Sequence, residues 1–195
     1  MAYASVAQLR AYMGLDVNDD DPLLESLLTR AQFAIDNHTH RTFEAPADTT
    51  KLFDAEHDTS DHYMVLDWTP YALDLCQITT VINGDGTSIS ASSYVTNPRN
   101  QTPWYGLRFK LNSGLYWTFD QDPENAISIT GRWAYSVTAP ADIVHATVRM
   151  ATYMYRQKDS NTFDVTAIPG AGVIEVPQGI PRDVGKMLEP YRRLR

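Results

Sequence analysis

The sequence predicts an α+β protein: a small helical bundle of two long helices plus short N- and C-terminal helices, with an antiparallel β module inserted into it. Three observations lead there. Apolar residues recur at helical spacing near the N-terminus and again after residue 140. Between them lie short stretches rich in β-branched and aromatic residues, which suit a half-buried pleated surface. Turn-prone clusters separate those stretches, Asn83-Gly84-Asp85-Gly86 being the strongest. The expected organisation is N-terminal helices over 1–42, the β module over 43–137, a long helix over 138–158, and an extended C-terminal arm over 159–195 with a short helix and a basic tail.

Ser5 to Met13 reads as a short helix, with Ser5 as N-cap, Val6, Leu9 and Met13 at helical spacing, and Gly14 as the stop. After the acidic link Asp16 to Asp21, Asp21-Pro22 supplies a cap and a first-turn proline. Leu24, Leu27, Leu28, Ala31 and Ile35 then form one apolar stripe, and this helix is expected to run to His38 or Thr39. Six strands are expected next: Thr49 to Phe53, Tyr63 to Leu66, Ile78 to Ile82, Ser93 to Thr96, Leu107 to Leu111 and Ala126 to Thr130. Asn83-Gly84 suits the positive φ angles of a tight hairpin, and Gly131 is expected to break the last strand. Pro140 fits the first turn of the second long helix, with Asp142 behind it where the exposed N–H groups favour a carboxylate. Ile143, Thr147, Met150 and Met154 form its stripe, with Ala146 and Ala151 beside it, and Arg156 and Lys158 close it. Asp159-Ser160-Asn161 and Pro169 to Gly172 read as loop and turn, Val173 to Val176 as one more short strand. Pro181 starts a last helix with Val184, Met187 and Leu188 apolar, and Pro190 ends it.

At 195 residues, 43% hydrophobic and 21% charged, the chain has the make-up of a soluble globular protein able to bury a core. No apolar run approaches the ~20 residues that span a membrane, and the N-terminus lacks the basic start and apolar core of a secretory signal. The single cysteine, Cys76, lies in an apolar run and reads as a buried thiol, so synthesis in a cytosol is expected. The net charge of -8 is unevenly spread: -9 over residues 1–70, -1 over 71–139 and +2 over 140–195. An acidic chain is a poor general binder of nucleic acid, because phosphate affinity comes from Lys and Arg.

Candidate chemistry is sparse. His38, His40, His57 and His62 fall in the acidic third with Asp54, Asp58 and Asp61, but His-x-His at a helix end is not the i, i+4 pair of a helical zinc site, and a solvated acidic loop is the plainer reading. There is no G-x-S-x-G, P-loop or G-x-G-x-x-G. Asp120, Asp122 and Glu124 sit around Pro123 in a loop, as glycosidase carboxylates can and as any acidic turn does. Trp104, Tyr105, Tyr116 and Trp117 suit either a sugar- or partner-binding surface or cross-strand pairs in the core of the sheet. No catalytic, cofactor or metal site is expected.

The order of features carries a resemblance. Val6-x-x-Leu9-Arg10-x-Tyr12-x-Gly14-Leu15 comes first, then the acidic link, the helix Leu23 to Ile35, and His40-Arg41-Thr42-Phe43. The Asn-Gly-Asp-Gly hairpin, Ile-Thr-Gly-Arg-Trp-Ala-Tyr at Ile129 to Tyr135 and Ala-Pro-Ala-Asp-Ile at Ala139 to Ile143 follow. Ile180-Pro181-Arg182 and Leu188-Glu189-Pro190-Tyr191-Arg192-Arg193 complete the set. Over nearly its whole length the chain resembles the tailed-phage head–tail connector (adaptor, or head-completion) family. That resemblance implies a structural protein of the virion neck without enzymatic activity, made in the host cytoplasm. It implies a ring, usually of twelve copies, docked on the portal protein and receiving head-closure (stopper) or tail proteins, with DNA passing the lumen unbound and no membrane contact. The C-terminal segment of such proteins commonly reaches the portal, which assigns Pro190, Tyr191, Arg192, Arg193 and Arg195 as candidate portal contacts. The stripe Ile143, Ala146, Thr147, Met150 and Met154 is expected to pack on the first long helix and, within the ring, is the candidate for helix packing between subunits. Alternatives are another neck component, such as a head-closure or tail-terminator protein, and a small hydrolase or carbohydrate-binding module using Trp104, Trp117, Asp120, Asp122 and Glu124.

Overall fold

The computed structural model describes residues 2–16, 20–66, 73–159, 165–168, 172–175 and 179–193. It is a mixed α+β structure with four helices and antiparallel sheets, and it divides into two compact units. One is formed by Met1–Arg41 with Ala139–Leu194, the other by Thr42–Thr138.

In the helical unit, α1 (Val6–Met13) is opened by a reciprocal capping box. The Ser5 hydroxyl accepts from the Gln8 N–H at 3.2 Å, and the Ser5 N–H donates to Gln8 Oε1 at 2.8 Å, so two otherwise orphaned donors are satisfied. Gly14 ends the helix at φ +70°, a left-handed conformation that suits glycine. α2 (Asp21–Thr39) and α3 (Ala141–Asp159) have 19 residues each. The cap of α2 is Asp20 rather than Asp21, and it makes no side-chain cap bond; the Asp20 carboxylate instead accepts from the Tyr155 hydroxyl of α3 at 2.5 Å. Asp21 turns to Arg10, 3.4 Å away. Pro140 lies just before α3, and its carbonyl receives the N–H groups of Ile143 and Val144 at 3.0 Å. α4 (Arg182–Leu188) buries Val184 and Leu188 and passes into a 3-10 turn at Glu189–Tyr191 that contains Pro190.

The stripe on α2 is the expected one. Leu24, Leu27, Leu28, Ala31 and Ile35 are buried, and the first four join Leu9 of α1 and Val148, Met150 and Ala151 of α3 in one core. Each fully buried leucine is worth about 1.5–3 kcal/mol. Asp36 sits half-buried at the edge of this core, where its Oδ1 accepts from the Tyr3 hydroxyl at 2.7 Å. Burial pushes its carboxyl up from 3.8 to about 6, against the opposing hydrogen bonds from Tyr3 and Gln32.

The second unit holds two antiparallel sheets. One has the order β1 (Thr49–Phe53), β7 (Ile127–Arg132), β4 (Gln77–Ile82). The other runs β2 (Thr59–Ser60), β3 (Tyr63–Val65), β6 (Gly106–Phe109), β5 (Tyr94–Asn97). β2, too short to show any alternation, is a strand beyond the six expected. Alternate residues Ile127 and Ile129 of β7 are fully buried, and with Met64, Leu66, Leu75, Leu107 and Phe109 they form the core. Gly131 does not break β7: it is paired with Thr49 on one side and Ile78 on the other, beside a bulge at Thr79. A Cβ there would stand 2.0 Å from the Gln77 carbonyl oxygen, so the strands meet only because the residue is glycine.

The Asn83–Gly86 turn forms where expected but for a different reason. Only Gly86 has positive φ, +79°. The Gly86 N–H donates to the Asn83 carbonyl and the Asn83 N–H to Thr87, a turn closed by a glycine bulge. Gly84 is required by space instead, since its Cβ would lie 2.4 Å from the Thr118 carbonyl oxygen. Asn83 is buried, with Nδ2 donating to Tyr116 O at 2.9 Å and Oδ1 accepting from the N–H groups of Gly84 and Thr118 at 3.1 and 3.2 Å. β8 (Val165–Ile168) and β9 (Gly172–Glu175) form a separate antiparallel hairpin. The loop expected at 159–161 and the turn at 169–172 fall largely outside the described residues, as does Val176.

Two stability measurements follow from this. Gly131→Ala, which meets backbone, should lower stability by about 2 kcal/mol or more, whereas Gly185→Ala, with open space inside α4, should raise it by about 0.5–1 kcal/mol; thermal or urea unfolding reads both. For Asp36, the unfolded carboxyl ionises first as pH rises, so its contribution to stability falls between 3.8 and about 6 and stays low above. Asp36→Asn should therefore stabilise the protein by about 1 kcal/mol at pH 7.5, after allowance for solvent screening, with the gain shrinking toward pH 4 in calorimetry.

Candidate functional site

The C-terminal segment is built onto the ends of the two long helices. Beyond α4, the 3-10 turn Glu189–Tyr191 redirects the chain, and the Arg192 N–H donates to the Glu189 carbonyl at 3.2 Å. The Arg193 N–H then donates to the Thr39 carbonyl at 3.0 Å, satisfying one of the carbonyls that the end of α2 leaves without a helical partner. The Tyr191 hydroxyl donates to Asp142 Oδ2, in the first turn of α3, at 3.4 Å. Two positive side chains are thus rooted at the negative end of α2, where the helix dipole favours them. His38, in the last turn of that helix, has its pKa lowered by burial and then by the charges of Arg192 and His40, so its neutral form is favoured beside the arginines.

Of the predicted segment, Pro190 and Arg192 are exposed, while Tyr191 and Arg193 are half-buried. Arg195 lies outside the described residues. The anchoring through Thr39 and Asp142 carries no sequence signal, because it joins residues far apart in the chain.

The α3 stripe is covered within the chain, the first of the two roles expected of it. Ile143, Ala146 and Thr147 are fully buried and Met150 is 3% exposed, all within the single chain. Met150 belongs to the core shared by α1, α2 and α3, and the Thr147 hydroxyl donates back to the Ile143 carbonyl at 2.8 Å. Met154 alone of the five keeps a half-buried position.

The aromatic residues divide. Trp117 is 8% exposed and stacks on Phe109 with ring centres 4.2 Å apart, so it belongs to the core rather than to a sugar-binding surface. Trp104 and Tyr105 are half-buried, and Tyr116 is 56% exposed against the ring of His62. Asp120, Asp122 and Glu124 are exposed, with Asp122 Oδ1 accepting from the Glu124 N–H at 3.0 Å. His57 pairs with the neighbouring Asp58 at 3.0 Å, and His62 Nδ1 contacts the Leu115 carbonyl at 2.9 Å. Among the described residues, no three His, Cys, Asp or Glu side chains converge as a metal site, and no helix is long and apolar enough to cross a membrane. Cys76 is buried with its thiol toward the Arg132 carbonyl, and burial raises its pKa.

A second concave site lies on the sheet of β2, β3, β6 and β5. It is a cavity of about 410 Å³ bounded by Asp61, His62, Tyr63, Asn97, Arg99 and Arg108 among others. Asn97 Nδ2 donates to the Tyr63 hydroxyl at 2.8 Å across it. The residues come from β2, β3, β5, β6 and their turns, so sequence spacing does not reveal them.

Comparison with known proteins agrees with the fold. A chain in the neck of an empty gene transfer agent particle, computed with C6 symmetry, superposes with a TM-score of 0.54 at 19% identity, covering 97% of this chain and 89% of that one. A chain of the virion of a native gene transfer agent particle superposes with a TM-score of 0.48 at 16% identity, over 92% of this chain and 81% of that one. A search of curated proteins found no match. The model of the head completion protein family matches residues 2–194. The chain belongs to the head completion protein family.

Proposed function

We propose that this chain assembles as a ring in the neck, between the portal and the tail proteins, and acts there as a non-enzymatic connector through which DNA passes. The observation that carries the reading is the family match, which spans the helical parts and the β module together rather than one of them. The charge distribution supports it. With -9 over residues 1–70, the chain offers DNA a repulsive surface rather than a binding one. The neck chain of the gene transfer agent particle has the same fold, and that particle was computed with C6 symmetry. A ring of twelve copies is compatible with a sixfold neck and is the stoichiometry we propose.

The helices act as one bundle in this reading, with the β module as its insertion. Ile143, Ala146, Thr147 and Met150 serve the ring by fixing α3 within the subunit, because their side chains are already covered, and Met154 is the member of the stripe left to meet a neighbour. Portal attachment is assigned to Pro190, Tyr191, Arg192, Arg193 and Arg195. Tyr191 and the Arg193 backbone hold the segment in place, and Arg192 presents a guanidinium able to pair with carboxylates.

Arg192→Ala should melt within about 1 kcal/mol of the wild type, since its side chain is exposed. The same variant should co-sediment with portal at least tenfold less well. Unchanged co-sedimentation would remove the tail from the attachment.

A further inference from the structure

We propose that the cavity on the β2–β3–β6–β5 sheet is a docking site for a second copy of this chain, and that it receives the acidic loop Asp120–Glu124 of that copy. The inference rests on the ring reading and adds the contact that would hold neighbouring β modules together.

The unit of Thr42–Thr138 contains three arginines. Arg132 is committed to Asp48, 3.5 Å away. Arg99 and Arg108 are exposed, line the cavity, and have no ion pair among the described residues. Asp61 is the one carboxylate bounding it, so two guanidiniums face one acid. Tyr63, Asn97, Thr96 and Ser60 supply neutral hydrogen-bonding groups. Beside His62 stands Tyr116, 56% exposed with ring centres 4.4 Å apart. Arginine and tyrosine around a concave, partly apolar surface are the residues that protein interfaces favour.

The matching charges are in the same unit. Asp120, Asp122 and Glu124 form an exposed loop of three carboxylates, and Asp120 and Glu124 pair with no cation among the described residues. A bidentate arginine–carboxylate pair is the strongest hydrogen-bonded arrangement either patch can make. None of the loop residues lines the cavity. Made head to tail, a contact between them repeats around a ring when its rotation closes. The acids that the sequence offered as possible glycosidase carboxylates gain a purpose that needs no substrate.

The test is charge reversal read by native mass spectrometry and analytical ultracentrifugation, with circular dichroism and thermal melting to establish folding. Arg99→Glu with Arg108→Glu, and separately Asp120→Lys with Glu124→Lys, should each weaken assembly at least tenfold under conditions where the wild type forms rings. All four substitutions in one chain should restore it, because the reversed cavity then meets the reversed loop. Folded variants that assemble like the wild type, or a four-fold variant that stays dissociated, would overturn the contact while leaving the ring reading in place. Reversals that leave assembly intact but release a DNA duplex from the ring would assign the arginines to phosphate and overturn it equally. A wild type that remains monomeric throughout would overturn the ring reading, and this contact with it.

Discussion

Leu24, Leu27, Leu28 and Ala31 of α2 leave water by meeting Val148, Met150 and Ala151 of α3 together with Leu9 of α1, and the helical unit depends on that seam. α2 ends at Thr39 and α3 begins at Ala141, so the seam joins two distant parts of the chain. Closing so long a loop is tolerable because its entropic cost grows only as the logarithm of length, about 0.6 kcal/mol per doubling. The intervening chain also folds upon itself into a compact unit with its own core, which further limits the disorder lost. Small residues matter as much as large ones here: Ala31 and Ala151 are fully buried, and larger side chains at either position would have to be accommodated by moving the helices. The C-terminal segment is a further layer on the same frame, since the Thr39 carbonyl that receives Arg193 and the Asp142 carboxylate that receives Tyr191 belong to these two helices.

The β unit is governed by close backbone approach and by one buried amide. Gly131 lets β4 and β7 come together at the bulge, and Gly84 lets the turn lie against Thr118. Asn83 then ties turn and segment together with three hydrogen bonds, which is what makes a polar side chain tolerable at 3% exposure.

Where the chemistry is local, the sequence is legible. The α2 stripe, the Ser5 cap, the Gly14 stop and the place of the Asn83–Gly86 turn all follow from residues a few positions apart. It is less legible where a distant partner decides. Asp20 rather than Asp21 precedes α2, with its carboxylate engaged by Tyr155. Gly131 looks like a strand breaker in isolation and is instead the residue that permits strand pairing with Gln77 and Ile78. Trp117 could face solvent or core on sequence grounds, and Phe109 settles which. The α3 stripe was readable as apolar, but whether its partner is another helix of the same chain or of a neighbour is a tertiary fact, and four of its five members are covered within the chain. The Arg99–Arg108 cavity assembles residues from four strands and has no linear signature.

Family membership, the fold and the disposition of charge support the structural role proposed for the chain in the head–tail neck. The most direct measurement is electron microscopy of the purified chain mixed with portal-bearing heads that lack it. The account predicts a ring of added density with an open centre on the portal vertex. A chain that stays monomeric, or density absent from that vertex, would contradict it.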